Sequence, residues 1–548
     1  MREEDLQQEP TMAAAAEEQM QQLRSKATEL LLREEWEESI QLYSHLINLC
    51  QDQISKTHHQ DSNNRDPDHL SKLHKSLCLS FSNRAEARSK LQDFTQALED
   101  CDRALQIEAT HFKTLLCKGK ILLSLNRYSN ALDCFKAALS DPQGNGNLEI
   151  VNGYLEKCKK LELQSRTGSF DLSDWVLNGF RGKPPELAEF IGPVLVKRSE
   201  ISGRGLFATK NIDAGTLVLV TKAIAIERGI LGGQDSGENA QLVMWKNFID
   251  KVKEVVTKCQ RTQLLVSMLS TGENEEELEV PEMGLFRPEI EKNGNGFLEK
   301  LDMDKILSIL DVNSLVEEAV SAKVLGKNSD FYGVGLWLLA SFINHSCNPN
   351  SRRLHVGDYV IVHASRDIKA GEEITFMYFD TLSLLDKRVE MSKSWGFNCR
   401  CKRCKFEDGV CSKQELREIE IGLEKGADVG GAVYRLEEGI RRWAVRGKEK
   451  GYLRASFWAA YSAVYSSDRL MKRWGRRIPA MEAVVDSVVE VVGSDERVLK
   501  MVVEGLKKNG GMVEFERVMK LGRGFYGKVV KKQAMRNLLE IGIQDQSY

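Results

Sequence analysis

Phe94, Ala97, Leu98 and Ala104 recur as Tyr128, Ala131, Leu132 and Ala138, each 34 residues further on. A repeat of this length is a helix-turn-helix unit that cannot bury its apolar face alone and must stack on a neighbour. An earlier copy supplies Trp36, Ser39, Ile40 and Leu46, at a larger offset because a His/Asp/Asn-rich insertion from Gln51 to about Leu70 separates the first two units. Small residues at Ala85, Gly119, Ala97 and Ala131 permit close helix packing, and a helix near Leu148 to Leu163 serves as the cap. Residues 17–165 are therefore expected to form a three-unit helical solenoid, preceded by a polar, disordered tail over 1–16. Such solenoids present a concave groove suited to peptides.

The remaining length demands more than one further core, because 548 residues exceed what a single core supports. Hydrophobic residues at 42% and charged residues at 29% fit an ordinary globular protein. A net charge of −3 gives no overall attraction to nucleic acid or acidic membranes. No apolar run approaches the roughly 18 residues of a membrane span. The acidic start, Met1-Arg2-Glu3-Glu4-Asp5, lacks the apolar stretch of a signal peptide, so the expectation is nucleus or cytoplasm. Most of the 12 cysteines, such as Cys78, Cys101, Cys117 and Cys134, stand singly in helical patterns, which suits buried reduced thiols.

Residues 166–191, with the Pro184-Pro185 pair, read as a linker. Short β-type runs follow at Val194-Leu195-Val196 and at 216–220, with turn signals at Ser202-Gly203-Arg204-Gly205 and Asp213-Ala214-Gly215. A charge-rich insertion over about 222–328 reads as helical. Hairpin-like pieces at Tyr359-Val360-Ile361-Val362 and 374–378 come next. Beyond Cys411 the pattern is helical again, with Trp443, Phe457, Trp458, Tyr461 and Tyr465 on apolar faces, giving a C-terminal helical domain over 412–548.

Two stretches carry chemistry. Asn344-His345-Ser346-Cys347-Asn348-Pro349-Asn350 follows the apolar run 336–343, and so many hydrogen-bonding groups beside a buried segment need partners. A polar loop on an apolar footing is what a ligand pocket requires. Cys399-x-Cys401-x-x-Cys404 supplies three thiolates in one tight turn, and zinc takes four ligands. The fourth is Cys411, near in sequence, or Cys347, brought in by folding. The cluster Lys472-Arg473-Trp474-Gly475-Arg476-Arg477 interleaves charge with an aromatic ring, a pattern found at nucleic-acid contacts and more commonly on solvated helix faces.

Taken together, Gly203-Arg204-Gly205-Leu206-Phe207, the 344–350 stretch, Gly371-Glu372-Glu373-Ile374-Thr375-Phe376-Met377-Tyr378 and 397–404 resemble a SET-domain protein lysine methyltransferase. They occur in that family's order over about 192–405. The insertion and the Phe-x-Cys-x-Cys-x-x-Cys tail look closest to the SMYD group, whose MYND zinc finger has no counterpart here. The resemblance implies a SET β-fold with a knot-like crossing over 192–380, then a zinc-bound post-SET segment over 381–411. It implies S-adenosylmethionine as methyl donor and a protein lysine as acceptor. The main chain around Arg204 and Gly205, with Asn344, His345 and Asn328, would cradle the donor, Phe397 would stack on its adenine, and Tyr378 would stand at the methyl group. Cys347 would join Cys399, Cys401 and Cys404 on a structural zinc. Met377 stands where many members have Asp, and Phe376 where a Phe/Tyr choice sets how many methyl groups are added.

The N-terminal repeats are similar to tetratricopeptide units. The chaperone-binding kind grips a C-terminal carboxylate, and Arg24, Asn83 and Lys113 match its pattern, whereas Thr28 and Cys117 replace an Asn and a basic residue. The fold expected overall is a helical solenoid, a mostly-β catalytic domain and C-terminal helices. The function expected is lysine methylation, with the solenoid recruiting substrate or partner; the alternative is a non-catalytic interaction scaffold.

Overall fold

The computed structural model describes residues 12–58, 67–139, 148–178, 183–230, 237–273, 276, 278–288, 301–317, 331–410, 413–426, 428–509 and 512–537. Asn328 and Cys411, both candidate site residues above, lie outside the described residues. The chain divides into two compact units, Met1–Leu163 and Gln164–Tyr548.

The first unit is helical: α1 (Met12–Leu32), α2 (Trp36–His58), α3 (Pro67–Lys90), α4 (Phe94–Ile107), α5 (Phe112–Ser124), α6 (Tyr128–Ala138) and most of α7 (Leu148–Thr167), whose last four residues fall in the second unit. Trp36, Phe94 and Tyr128 each open the second helix of a pair. The turn before each is made by a left-handed residue, Glu34, Gln92 or Asn126, with φ of 63°, 61° and 60°. Gln92 and Asn126 repeat the 34-residue interval, so the period is written in the turns as well as in the packing. Ala97, Ala104, Ala131 and Ala138 are fully buried. A Cβ on Gly119 would lie 2.6 Å from the Phe135 ring, which explains the small residue there. Asp100 accepts from Arg84 Nε and Nη2 at 2.8 and 2.6 Å inside the stack.

Two boundaries differ from the expectation. The helix α1 already runs from Met12, inside the expected tail. The insertion between the first two units mostly lengthens helices, since α2 continues to His58 and α3 begins at Pro67. Ile47, Cys50 and Ile54 keep the three-to-four spacing of a buried helix face through that stretch.

Among the described residues, the second unit holds three sheets. Their strands are β1 (Phe190–Ile191), β2 (Val194–Arg198), β3 (Arg204–Ala208), β4 (Leu217–Lys222), β5 (Ala225–Ile230), β6 (Leu315–Glu317), β7 (Phe331–Leu336), β8 (Asn344–His345), β9 (Ser351–Val356), β10 (Tyr359–Ala364) and β11 (Glu373–Phe376). The sheet orders are β1-β4-β10-β9, β2-β3-β11-β8 and β5-β7-β6. All pairings are antiparallel except β8 with β11, where Asn344 faces Thr375 and His345 faces Phe376. Strand β10 shows why two layers form: Val360 and Val362 face one core and Ile361 the other.

The insertion is not purely helical. It carries β5 and β6, which flank β7, around helices at Gly237–Lys258, Gln260–Ser267 and Met303–Asn313. Nor is 166–191 a linker: Phe170, Leu172, Val176 and Leu187 are buried in the core, and the Leu172 amide bonds to Val529 O at 2.8 Å. Apolar residues between Gly and Pro signals were enough to dock it.

The C-terminal helices do not close a core of their own. Val484, Val488, Val518 and Phe525 share one with Leu217, Val220, Leu354 and Ile361 of the first sheet. His363 of β10 is fully buried at that junction, its Nε2 3.2 Å from Gly524 O, so it donates there as a neutral ring. Burial pushes its pKa from 6.5 down to about 4. A depressed histidine contributes stability that is present above about 6.5 and is lost as pH falls through about 4. The expected loss across that window is about 3 kcal/mol, and His363→Gln should flatten this acid limb in urea titrations. Identical limbs for the two proteins would contradict the assignment.

Candidate active site and sulfur cluster

The site is assembled where β8 lies beside β11. Asn344 Nδ2 donates to Ser202 O at 3.2 Å, Arg204 O at 3.1 Å and Glu373 Oε1 at 2.8 Å. One amide thus ties the glycine turn before β3 to the strand that leads into Tyr378. The turn needs its glycines: Gly203 has φ of 45°, and a Cβ on Gly205 would sit 2.3 Å from Glu373 Oε1. Glu373 is held from the other side by the Ser199 hydroxyl, 2.8 and 2.9 Å from its two oxygens, and burial raises its pKa above the ordinary carboxylate value. Asn350 binds the same strand twice, donating to Glu373 O at 2.8 Å and accepting from the Thr375 amide at 2.9 Å. The Arg204 side chain is spent elsewhere, on Met268 O at 2.7 Å and Glu279 O at 3.0 Å, so its main chain is what faces Asn344.

His345 is buried and has both ring nitrogens engaged. Nδ1 lies 3.0 Å from the Tyr378 amide, which can only donate, so Nδ1 accepts. The proton of the neutral ring is then on Nε2, 3.2 Å from Cys347 Sγ. The ring also stacks on Phe379 at 4.2 Å and lies 5.6 Å from Phe397. Tyr378 donates its hydroxyl to Ile343 O at 2.8 Å, and burial raises its pKa above the usual phenol value. Its ring is bordered by Trp395 at 5.3 Å, Phe376 at 5.7 Å and Phe397 at 6.1 Å. Trp395, 37% exposed, carries no signal of its own in the sequence, although it stands two residues before Phe397 in the same motif.

The structure brings Cys347, Cys399, Cys401 and Cys404 together, with all four sulfurs within 4.8 Å of one another. Cys347 Sγ lies 3.8 Å from Cys399 Sγ and 3.6 Å from Cys404 Sγ. Thiolates on a tetrahedral zinc are separated by about 3.8 Å, so the four residues fit that ion. Cys401 caps the helix Lys402–Gly409 and accepts from the Cys404 amide, placing two sulfurs at the positive end of a helix.

Around the sulfurs lies a buried ionic group with no clear signal in the sequence. Arg388 Nη1 donates to Cys404 Sγ at 3.1 Å, and its Nη2 pairs with Glu407. Arg403 Nε pairs with the other Glu407 oxygen at 2.7 Å, while Nη1 holds Cys347 O at 3.1 Å and Thr381 O at 2.7 Å. Arg403 Nη2 and Glu407 both meet Ser456 Oγ of the C-terminal helices, at 2.7 and 2.8 Å. Two guanidiniums offset part of the charge of one carboxylate and four thiolates, and a divalent ion among the sulfurs would offset most of the rest.

Residues 203–379 match the family model described as SET domain. That segment is a SET domain. The chain is 27% identical over 348 residues to a protein named "Methyltransferase" from Gibberella zeae, covering 60% of this chain and 46% of that protein. It is 36% identical over 119 residues to a SET and MYND domain-containing protein of Dictyostelium discoideum, covering 20% and 34%. It is 39% identical over 99 residues to the human Histone-lysine N-methyltransferase SMYD3, covering 17% and 23%. The chain thus spans less than half the length of these curated relatives.

Two further groups of candidate residues lie outside the SET domain. In the solenoid, Lys113 Nζ donates to Asn83 Oδ1 at 2.6 Å and pairs with Glu86 at 2.8 Å. Asn83 Nδ2 donates to Tyr43 OH at 2.9 Å, Thr28 Oγ1 lies 3.0 Å from the same hydroxyl, and Arg24 contacts Ser76. In the basic cluster, Trp474 is buried, with the Arg473 and Arg477 guanidiniums 5.2 and 5.6 Å from its ring. That ring is a packing element and is not presented for base stacking.

Removing Glu407's charge should leave two buried cations with no carboxylate. Glu407→Gln is expected to cost about 3–5 kcal/mol in urea unfolding and to speed loss of zinc to a chelator. Wild-type stability together with wild-type metal retention would contradict the charge balance described.

Proposed function

We propose that this chain transfers a methyl group from S-adenosylmethionine to the side-chain amine of a lysine in a protein substrate. The observation that carries this reading is the position of Tyr378. Its hydroxyl is pinned to Ile343 O beside the turn held by Asn344, within a ring of His345, Trp395 and Phe397. The relatives whose names include methyltransferase support the same chemistry.

When bound, S-adenosylmethionine supplies a methyl group on a positively charged sulfur. The main chain of 203–205, tied down by Asn344, would hold it, with Phe397 against its adenine. His345 would contribute through its ring face and backbone, since its nitrogens are committed to Tyr378 and Cys347. The acceptor must be a neutral amine, and a free lysine has a pKa near 10.4. The apolar aromatic surroundings of Tyr378 favour the uncharged form by desolvation. Because burial raises the phenol's pKa, Tyr378 stays protonated and acts as an orienting dipole rather than as a base. The four cysteines would hold a structural zinc, which pins the segment bearing Trp395 and Phe397 against the site.

The solenoid would recruit an extended peptide. Asn83 and Lys113 offer donors for a terminal carboxylate, though Glu86 competes for Lys113. A titration with a peptide ending in Glu-Glu-Val-Asp should show saturable binding that Lys113→Ala weakens. No saturable signal would dispose of the carboxylate grip while leaving the catalytic reading intact.

Tyr378→Phe should lower methyl transfer at least about 100-fold, with donor affinity by calorimetry nearly unchanged. Undiminished transfer by that variant would overturn the assignment.

A further inference from the structure

A second set of metal-competent side chains meets in the helical solenoid. Cys78 lies on α3, Glu108 closes α4 and His111 opens α5, and their ligand atoms all lie within 4.8 Å of one another. Cys78 Sγ is 4.0 Å from Glu108 Oε2. Ligand atoms around a tetrahedral zinc are about 3.3–3.8 Å apart, so the set stands within about 1.5 Å of that spacing.

The backbone keeps the three in register. The Glu108 amide bonds to Ala104 O at 3.0 Å, and Glu108 O accepts from the His111 amide at 3.2 Å. A four-residue turn therefore presents carboxylate and imidazole side by side. Thr114 Oγ1 lies 2.7 Å from His111 Nδ1 and orients the ring, as the partners of metal-bound imidazoles do. Cys78 is buried, with Sγ 3.5 Å from Ala104 O, whereas Glu108 is exposed and opens a route for an ion. His74 stands one helical turn before Cys78 and lines, with Glu108, an open depression of about 670 Å³.

We propose that Cys78, Glu108 and His111 bind a divalent zinc ion, with His74 or a water completing the four ligands. One sulfur, one nitrogen and one carboxylate oxygen form a borderline-soft set that suits zinc better than magnesium or calcium. The ion would staple the turn between the second and third helical units onto α3. Solenoid units otherwise hold together only by nearest-neighbour stacking, so the site would stiffen the groove.

The test is the metal content of the full chain after equilibrium dialysis against micromolar zinc. Wild type should hold two zinc ions per chain, while Cys78→Ser and His111→Asn should each hold one. Cys399→Ser should remove the other ion independently, which separates this site from the four-cysteine cluster. His111 is only partly buried, so His111→Asn decides the matter if Cys78→Ser fails to fold. A single zinc in the wild type that Cys399→Ser removes, or two retained by His111→Asn, would overturn the proposal.

Discussion

One imidazole joins the two halves of the site. The Nδ1 of His345 receives the Tyr378 amide, and its Nε2 faces Cys347 Sγ. This geometry exists only because β8 pairs in parallel with β11, setting Asn344 and His345 level with Thr375 and Phe376. From that pairing the rest follows. Asn344 reaches back to the glycine turn, Cys347 is delivered to the three clustered cysteines, and Tyr378 emerges beside the ring of its neighbour. A displaced β8 would lose the turn, the fourth sulfur and the support of the phenol together.

The arrangement explains why so much polar chemistry can be buried. Asn344, Asn350 and His345 satisfy backbone groups that a two-residue strand cannot pair for itself. Arg388, Arg403 and Glu407 do the same for charge around the sulfurs, and Ser456 anchors them to the C-terminal helices. Those helices share a core with the first sheet, so the sulfur cluster is held by both the SET domain and the helical segment after it.

Much of this is legible in the sequence, and the gaps have physical causes. The solenoid period is readable because both packing and turns repeat, down to the left-handed Gln92 and Asn126. The glycine turn, the 344–350 stretch and the cysteine cluster are readable because chemistry restricts what can stand there. Spacing alone leaves Cys347 and Cys411 as rivals for the fourth sulfur; the resemblance favours Cys347, and folding brings it to the other three. Arg388, Arg403 and Glu407 escape notice because a buried charge triad is indistinguishable from a solvated helix face until its partners, far apart in sequence, are seen. The 166–191 segment reads as a linker because its Gly and Pro signals outweigh a few apolar residues that the C-terminal helices cover. The strands of the insertion are hidden because β6 has only three residues and β5 pairs with β7, far along the chain.

The most direct test of the link between sulfur cluster and active site is labelled methyl incorporation by the full chain as metal is stripped with a chelator and zinc is then added. Emptying of the cluster would be followed by thiol titration of Cys347, Cys399, Cys401 and Cys404. Incorporation is expected to fall as these thiols become reactive and to return when zinc is added back. Undiminished incorporation with all four thiols reactive would show that Tyr378 and the segment bearing Phe397 are positioned without the metal, contradicting the coupling through His345.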